Sequence, residues 1–165
     1  MSAASQPWRR GRWCFRDAAG LPLTNEAIRI MAFAELEAEL LGHTALGTHH
    51  VLASLLENDD GLTMTALSRA GASLSALRSA LGAAEAPSQR RSGDGLVLGA
   101  DAAAMLAAAG RLAEQRGDDC VVGRDVLHAV LMTTDGVAVR TLVHLGINPV
   151  EVGEHATRIL AGQSL

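Results

Sequence analysis

The sequence predicts an all-α fold built from two tandem four-helix repeats in a pseudo-two-fold arrangement. Three observations carry this. Apolar residues recur at helical spacing through most of the chain, and no alternating stretch of useful strand length occurs. Start and stop residues bracket each periodic segment. The chain also matches itself at an ungapped shift of 75 residues: Leu23 meets Leu98, Ala38-Glu39 meets Ala113-Glu114, and Val51-Leu52 meets Val126-Leu127. Over residues 23–81, 14 of 59 positions are identical, where this composition gives roughly 5 by chance.

Residues 1–22 stand apart as a basic, aromatic arm carrying Trp8, Arg9, Arg10, Arg12, Trp13 and Arg16, with Gly20 and Pro22 as punctuation. Repeat one spans 23–82. Thr24 is the N-cap of its first helix, which carries Ile28, Met31, Ala32 and Leu36 and stops at Gly42. Thr48 caps a second, short helix with Val51, Leu52, Leu55 and Leu56. Asn58-Asp59-Asp60-Gly61 is turn chemistry. A third helix holds Met64 and Leu67 and ends at Gly71; Ser73 caps a fourth with Leu74, Leu77 and Leu81. Residues 83–97 are a polar linker. Repeat two spans 98–161, with helices from Asp101 to Arg116, Gly123 to Met132, Val137 to Leu145, and from Asn148 onward, where Pro149 follows its cap at the first helical position. Residues 162–165 are a tail. Glycine recurs at Gly42 and Gly117, Gly61 and Gly136, and Gly71 and Gly146, read as helix stops. About 60 residues bury too little alone, so the halves are expected to pack together and leave a groove as the default ligand site.

Composition narrows function. Apolar residues are 48% and charged residues 19%, the balance of a folded chain rather than a disordered one. Lysine is absent, and all 14 basic residues are arginine. That excludes a Walker-type phosphate loop and a Schiff-base lysine. Tyrosine is absent and aromatics are 2%, so base-stacking platforms are not expected. A net charge of −4 offers no general attraction to nucleic acid or anionic membrane. No apolar run of about 18 residues occurs, and no signal-like apolar core is seen, so the expectation is a cytoplasmic protein with no membrane partner and with Cys14 and Cys120 as free thiols.

Leu23-Thr24, Leu41-Gly42-His43, Gly47-Thr48-His49-His50-Val51-Leu52, Asp60-Gly61 and Leu67 through Gly71 resemble the first Clp N-terminal motif. That motif belongs to the duplicated module at the front of Clp-family AAA+ unfoldases such as ClpC and ClpA. The resemblance covers about 23–161. It is looser in repeat two, where Arg116-Gly117-Asp118-Asp119 and Gly123-Arg124-Asp125-Val126-Leu127 stand in. It implies a non-enzymatic module, without the ATPase domains, that binds an adaptor, a substrate or a peptide-like ligand in the inter-repeat groove. One form is a decoy for cyclic-peptide antibiotics aimed at ClpC. The alternative is a regulatory subunit that docks on a Clp ATPase or protease complex through its N-terminal arm. No cofactor is expected.

The resemblance also implies candidate residues. In ClpC a Glu in each Gly-Thr-Glu-His segment takes the guanidinium of phosphoarginine, and a Thr near the start of each repeat holds the phosphate. Thr24 matches the first Thr, Gly99 occupies the second, and the two Glu positions are His49 and Arg124. A cation opposes a guanidinium, so phosphoarginine recognition is not expected. The surface matching the macrocycle site comprises Ile28, Met31, Ala32 and Glu35 with Ala103, Ala107 and Gly110.

Other constellations read as structural. His43, His49 and His50 cluster, but His49 and His50 are adjacent and are expected to point apart on a helix, so no metal site is assigned. His50 reads as a helix-start residue bonded to backbone. Asp118, Asp119 and Cys120 read as turn residues, Cys120 in a buried small apolar role, and Glu35, Glu37 and Glu39 as a solvated face. No Gly-x-Ser-x-Gly nucleophile turn is present.

Overall fold

The computed structural model describes residues 21–59, 61–87 and 95–162. The arm other than Leu21 and Pro22, Cys14, Asp60, residues 88–94 of the linker and residues 163–165 of the tail lie outside them. Two short strands and eight helices follow in order among the described residues: α1 (Asn25–Leu40), β1 (Ala45–Leu46), α2 (Thr48–Asn58), α3 (Leu62–Arg69), α4 (Leu74–Gly82), β2 (Val97–Leu98), α5 (Ala100–Gln115), α6 (Gly123–Met132), α7 (Val137–His144) and α8 (Pro149–Leu160). The fold is all-α, as expected. Each helix of the second half begins 75 residues after its counterpart. No single helix among the described residues is long and apolar enough to cross a membrane.

Local chemistry explains these boundaries. The Thr24, Ser73 and Asn148 side chains accept from the backbone N–H groups of Ala27, Ala76 and Val150, so three predicted caps are made. Gly42, Gly71, Gly117 and Gly146 end their helices at positive φ. Gly61 and Gly136 differ from expectation, because they precede helices rather than end them. They are also glycines for separate reasons. Gly61 sits at φ +88°, whereas Gly136 has ordinary backbone and lacks room: a Cβ there would lie 2.8 Å from Thr48 Oγ1 and 2.9 Å from Thr133 O.

The halves are joined by one contact made twice. β1 pairs in parallel with β2, Ala45 opposite Val97 and Leu46 opposite Leu98. Leu23 bridges Val121 in the same sense, and the 75-residue shift interchanges these partners. The Gly99 N–H donates to Leu46 O at 2.8 Å, and the Thr24 N–H donates to Val121 O at 2.9 Å. Val97 adds a bond from its N–H to Thr44 O. Its counterpart Pro22 has no N–H to give; at the second seam the Val121 N–H donates to Pro22 O at 2.9 Å. These pairings are strand contacts that helical periodicity does not announce.

Carboxylates reinforce both seams. Asp101, in the first turn of α5, accepts from the Thr48 N–H (3.2 Å) and hydroxyl (2.7 Å) and from the Val137 N–H (3.2 Å). It thereby caps α2 and α7 together. Thr48 is therefore not a cap to its own helix; its hydroxyl bonds to Asp101 and accepts from the Ala138 N–H. Glu26, the counterpart of Asp101, accepts from the Gly123 N–H at the start of α6. Helix packing is exchanged likewise: α1 lies on α2 and α5 on α6, but α3 packs against α8 and α4 against α7. One core runs through both halves, from Ile30, Met31 and Leu52 to Met105, Leu127 and Leu142.

Burial would raise the Asp101 pKa, but the bonds from Thr48, Val137 and Ala102 hold it below the usual carboxylate value. Its folded pKa is depressed, so its contribution is full above about pH 4 and is lost as pH falls through the folded value. Asp101→Ala is expected to cost about 2 kcal/mol and Glu26→Ala about 1 kcal/mol in urea denaturation at pH 7. The Asp101→Ala cost is expected to shrink below pH 4.

Candidate functional site

Exchange between the halves makes the candidate positions composite. Thr24 adjoins Val121 of the other repeat, and Glu26 adjoins Gly123. Arg124 follows in the first turn of α6, so Thr24 and Arg124 flank one half-site. Gly99 and Asp101 adjoin Leu46 and Thr48, so Gly99 and His49 flank the other. The Thr24 hydroxyl is engaged by the Ala27 N–H at 3.3 Å.

Arg124 lines a cleft of about 510 Å³ between the repeats. Glu26, Leu62 and Thr65 of repeat one and Val122, Ile159 and Leu160 of repeat two line it as well. Its guanidinium lies 3.7 Å from the Asp118 carboxylate, and its Nε is buried without a hydrogen-bond partner. This half-site is open and carries a cation.

The other half-site is closed. His49 is 1% exposed and His50 fully buried. Contrary to expectation the two rings do not point apart; their centroids are 3.8 Å apart. Gly47 makes this possible, since a Cβ there would lie 2.7 Å from the His49 ring. The Gly47 N–H donates to His50 Nδ1 at 2.9 Å, which places the His50 proton on Nε2. That proton goes to His43 Nδ1 at 2.7 Å, and His43 Nε2–H donates to Glu85 O at 3.1 Å. His50 is thus the backbone-bonded helix-start residue expected. Repeat two performs the same closure with charge: Arg116 joins Asp118 and Asp125, and Asp125 accepts from the Val122 N–H. Asp118 is more than a turn residue.

Burial, ahead of all charges nearby, lowers the His49 pKa to about 4 and the His50 pKa to about 3. His49 is therefore neutral near pH 7 rather than a cation. At this position the first half-site carries an uncharged ring, where the sequence reading expected a cation.

The other candidates divide by burial. Met31 and Gly110 face the core, which removes them from any groove surface. The core face of α1 is Ala27, Ile30, Met31, Ala34 and Ala38. Ile28, Glu35, Ala103 and Ala107 are partly buried, and Ala32 is exposed. Glu35, Glu37 and Glu39 are also only partly exposed, not a fully solvated face. Cys120 is a free, half-buried thiol. Sequence reasoning missed the row that α1 turns outward: Phe33 (46% exposed), Leu36 (45%) and Leu40 (74%). Their i, i+3, i+7 spacing was a readable signal, obscured because α1 is apolar on nearly every side.

The family model for the Clp repeat N-terminal domain matches residues 22–158. Chloroplastic chaperone protein ClpC of Pisum sativum is 26% identical over 147 residues, covering 83% of this chain. The chain spans 15% of that relative's length. The solved Hsp104 N-terminal domain of Candida albicans is similar in fold, with a TM-score of 0.72 at 21% identity, covering 86% of this chain and 93% of that one. The N-terminal domain of the caseinolytic protease associated chaperone ClpD of Arabidopsis thaliana gives 0.65 at 21% identity, over 84% and 96%.

The histidine burial has a pH consequence. Both folded pKa values lie below the unfolded value of 6.5, so unfolding takes up protons between pH 6.5 and about 4. Stability is full above pH 6.5 and falls by up to about 1.4 kcal/mol per pH unit for each group below it. In urea titrations at pH 7.5 and pH 5, His49→Gln is expected to show a smaller drop than the parent chain.

Proposed function

This chain belongs to the Clp repeat N-terminal domain family, and from that premise we propose that it is a non-catalytic binding module for a protein or peptide-like partner. The observation that carries the reading is the outward row of Phe33, Leu36 and Leu40 on α1, bordered by Ala32 and the half-buried Ile28. Large apolar side chains at one helical face, kept out of the core, suit the apolar stripe of a partner helix or a macrocycle. Binding would act by occupancy, with no turnover. Adaptors, substrates and the cyclic peptides directed at ClpC are the partner classes this surface suits, the last making the module a decoy.

Phosphoarginine is not among the proposed ligands. The ligand would meet a sealed neutral imidazole at His49 and a cation at Arg124. The nearby carboxylates of Asp101 and Glu26 already receive the cross-repeat N–H groups. The second reading, a subunit docking on a Clp ring through the arm, rests on the Trp8, Arg9, Arg10, Arg12, Trp13 and Arg16 composition alone.

The test is a titration of the isotope-labelled chain with a ClpC-directed cyclic peptide and, separately, with an amphipathic helical peptide, followed by amide shifts. Shifts centred on α1 and affinity lowered at least tenfold by Phe33→Ser with Leu36→Ser, at unchanged thermal midpoint, are expected. Shifts confined elsewhere, or affinity unaffected by both substitutions, would refute the α1 surface. Free phosphoarginine is expected to give no saturable shifts.

A further inference from the structure

Three imidazoles converge where the end of α1, the start of α2 and the chain after α4 meet. His43, His49 and His50 are all buried, and one ring nitrogen from each lies within 4.8 Å of the other two. The relay from Gly47 through His50 and His43 to Glu85 O uses every nitrogen of two rings. It does not use the third. Both nitrogens of His49 are buried and without a hydrogen-bond partner. Buried polar groups are nearly always satisfied, and an orphan calls for a water, an ion or a chemical role. The Glu85 carboxylate stands 3.8 Å from His49 Nε2, its side chain 46% exposed. In repeat two the equivalent positions are Asp118, Arg124 and Asp125, which with Arg116 offset one another's charge. Repeat one has three imidazoles in and around the same place, with no carboxylate or guanidinium among them.

We propose that His43, His49, His50 and Glu85 form a binding site for a borderline divalent transition ion such as Zn²⁺. Three imidazole nitrogens and one carboxylate oxygen make a tetrahedral donor set for such an ion. His43 is already oriented as a ligand: its Nε2–H is donated to the backbone carbonyl of Glu85, leaving Nδ1 directed at the cluster. His49 offers either nitrogen. His50 offers Nε2, and giving it to the ion moves its proton to Nδ1, where it opposes the Gly47 N–H. The ion and the cap of α2 therefore compete, and the Gly47 amide reports the exchange. The donor spacings must also adjust to about 3.3 Å, set by bonds of about 2.0–2.1 Å: His43 Nδ1 and His50 Nε2 open from 2.7 Å, and the Glu85 carboxylate and His49 Nε2 close from 3.8 Å. The half-exposed Glu85 marks the side from which an ion arrives.

The experiment uses the untagged chain, stripped with a chelator, and titrates it with ZnCl₂ by calorimetry at pH 7.5 and with CoCl₂ by visible absorption. One equivalent of each ion is expected, with the absorption of tetrahedral Co²⁺ and a displaced Gly47 amide resonance. His49→Phe, which keeps a ring in the core, is expected to abolish the stoichiometric equivalent. Glu85→Ala, at the surface, is expected to weaken it by about tenfold or more. If His49→Phe does not fold, Glu85→Ala with the Gly47 resonance decides. No saturable binding to the parent chain overturns the proposal. So does binding that both variants retain at parental affinity, which would place the ion elsewhere on the chain.

Discussion

The structure depends on a seam in which each repeat completes the other. The segment ahead of α1 pairs with the segment ahead of α6, and the segment ahead of α5 pairs with the segment ahead of α2. Each seam brings a carboxylate from one half to the N-terminus of a helix in the other, Asp101 to Thr48 and Glu26 to Gly123. Helix N-termini expose N–H groups that no intrahelical partner can satisfy. Here the satisfying group comes from the opposite repeat. The same exchange appears in packing, where α3 lies against α8 and α4 against α7. A half taken alone would lose its neighbour, the carboxylate at the N-terminus of its second helix and part of its core together.

On this shared frame the two halves have diverged at equivalent positions. The closure between the end of the first helix and the start of the second is ionic in repeat two, through Arg116 with Asp118 and Asp125. In repeat one it is a chain of hydrogen-bonded imidazoles. The neighbouring position is a sealed His49 in one half and a cleft-lining Arg124 in the other. Glycine at position 61 serves a left-handed backbone, while its counterpart Gly136 serves a close approach to Thr48. Duplication has kept the geometry and exchanged the chemistry, so the two half-sites are unlike.

The helices were legible in the sequence because caps and stops are local. Thr24, Ser73, Asn148 and the glycines after α1, α3, α5 and α7 each act within a few residues of their position. The repeat was legible because its spacing survived without gaps. The site was less so. Met31 and Leu36 both fit an apolar stripe, and only packing shows that Met31 enters the core while Leu36 faces out. Adjacent helical residues diverge by about 100°, which put His49 and His50 on different faces. At the first turn, the missing Cβ of Gly47 lets the His49 ring fold back beside its neighbour. Thr48 reads as a cap from sequence, yet its hydroxyl serves a carboxylate 53 residues away. Long-range partners of this kind leave no trace in spacing.

The seam is tested most directly by native-state hydrogen exchange across the whole chain. Amides in the centres of α2 and α6 are expected to exchange with one common opening free energy, equal to that of global unfolding, because each of these helices takes the carboxylate at its N-terminus from the other half. Two separate opening free energies, with one repeat exchanging while the other stays protected, would contradict the interdependence of the halves.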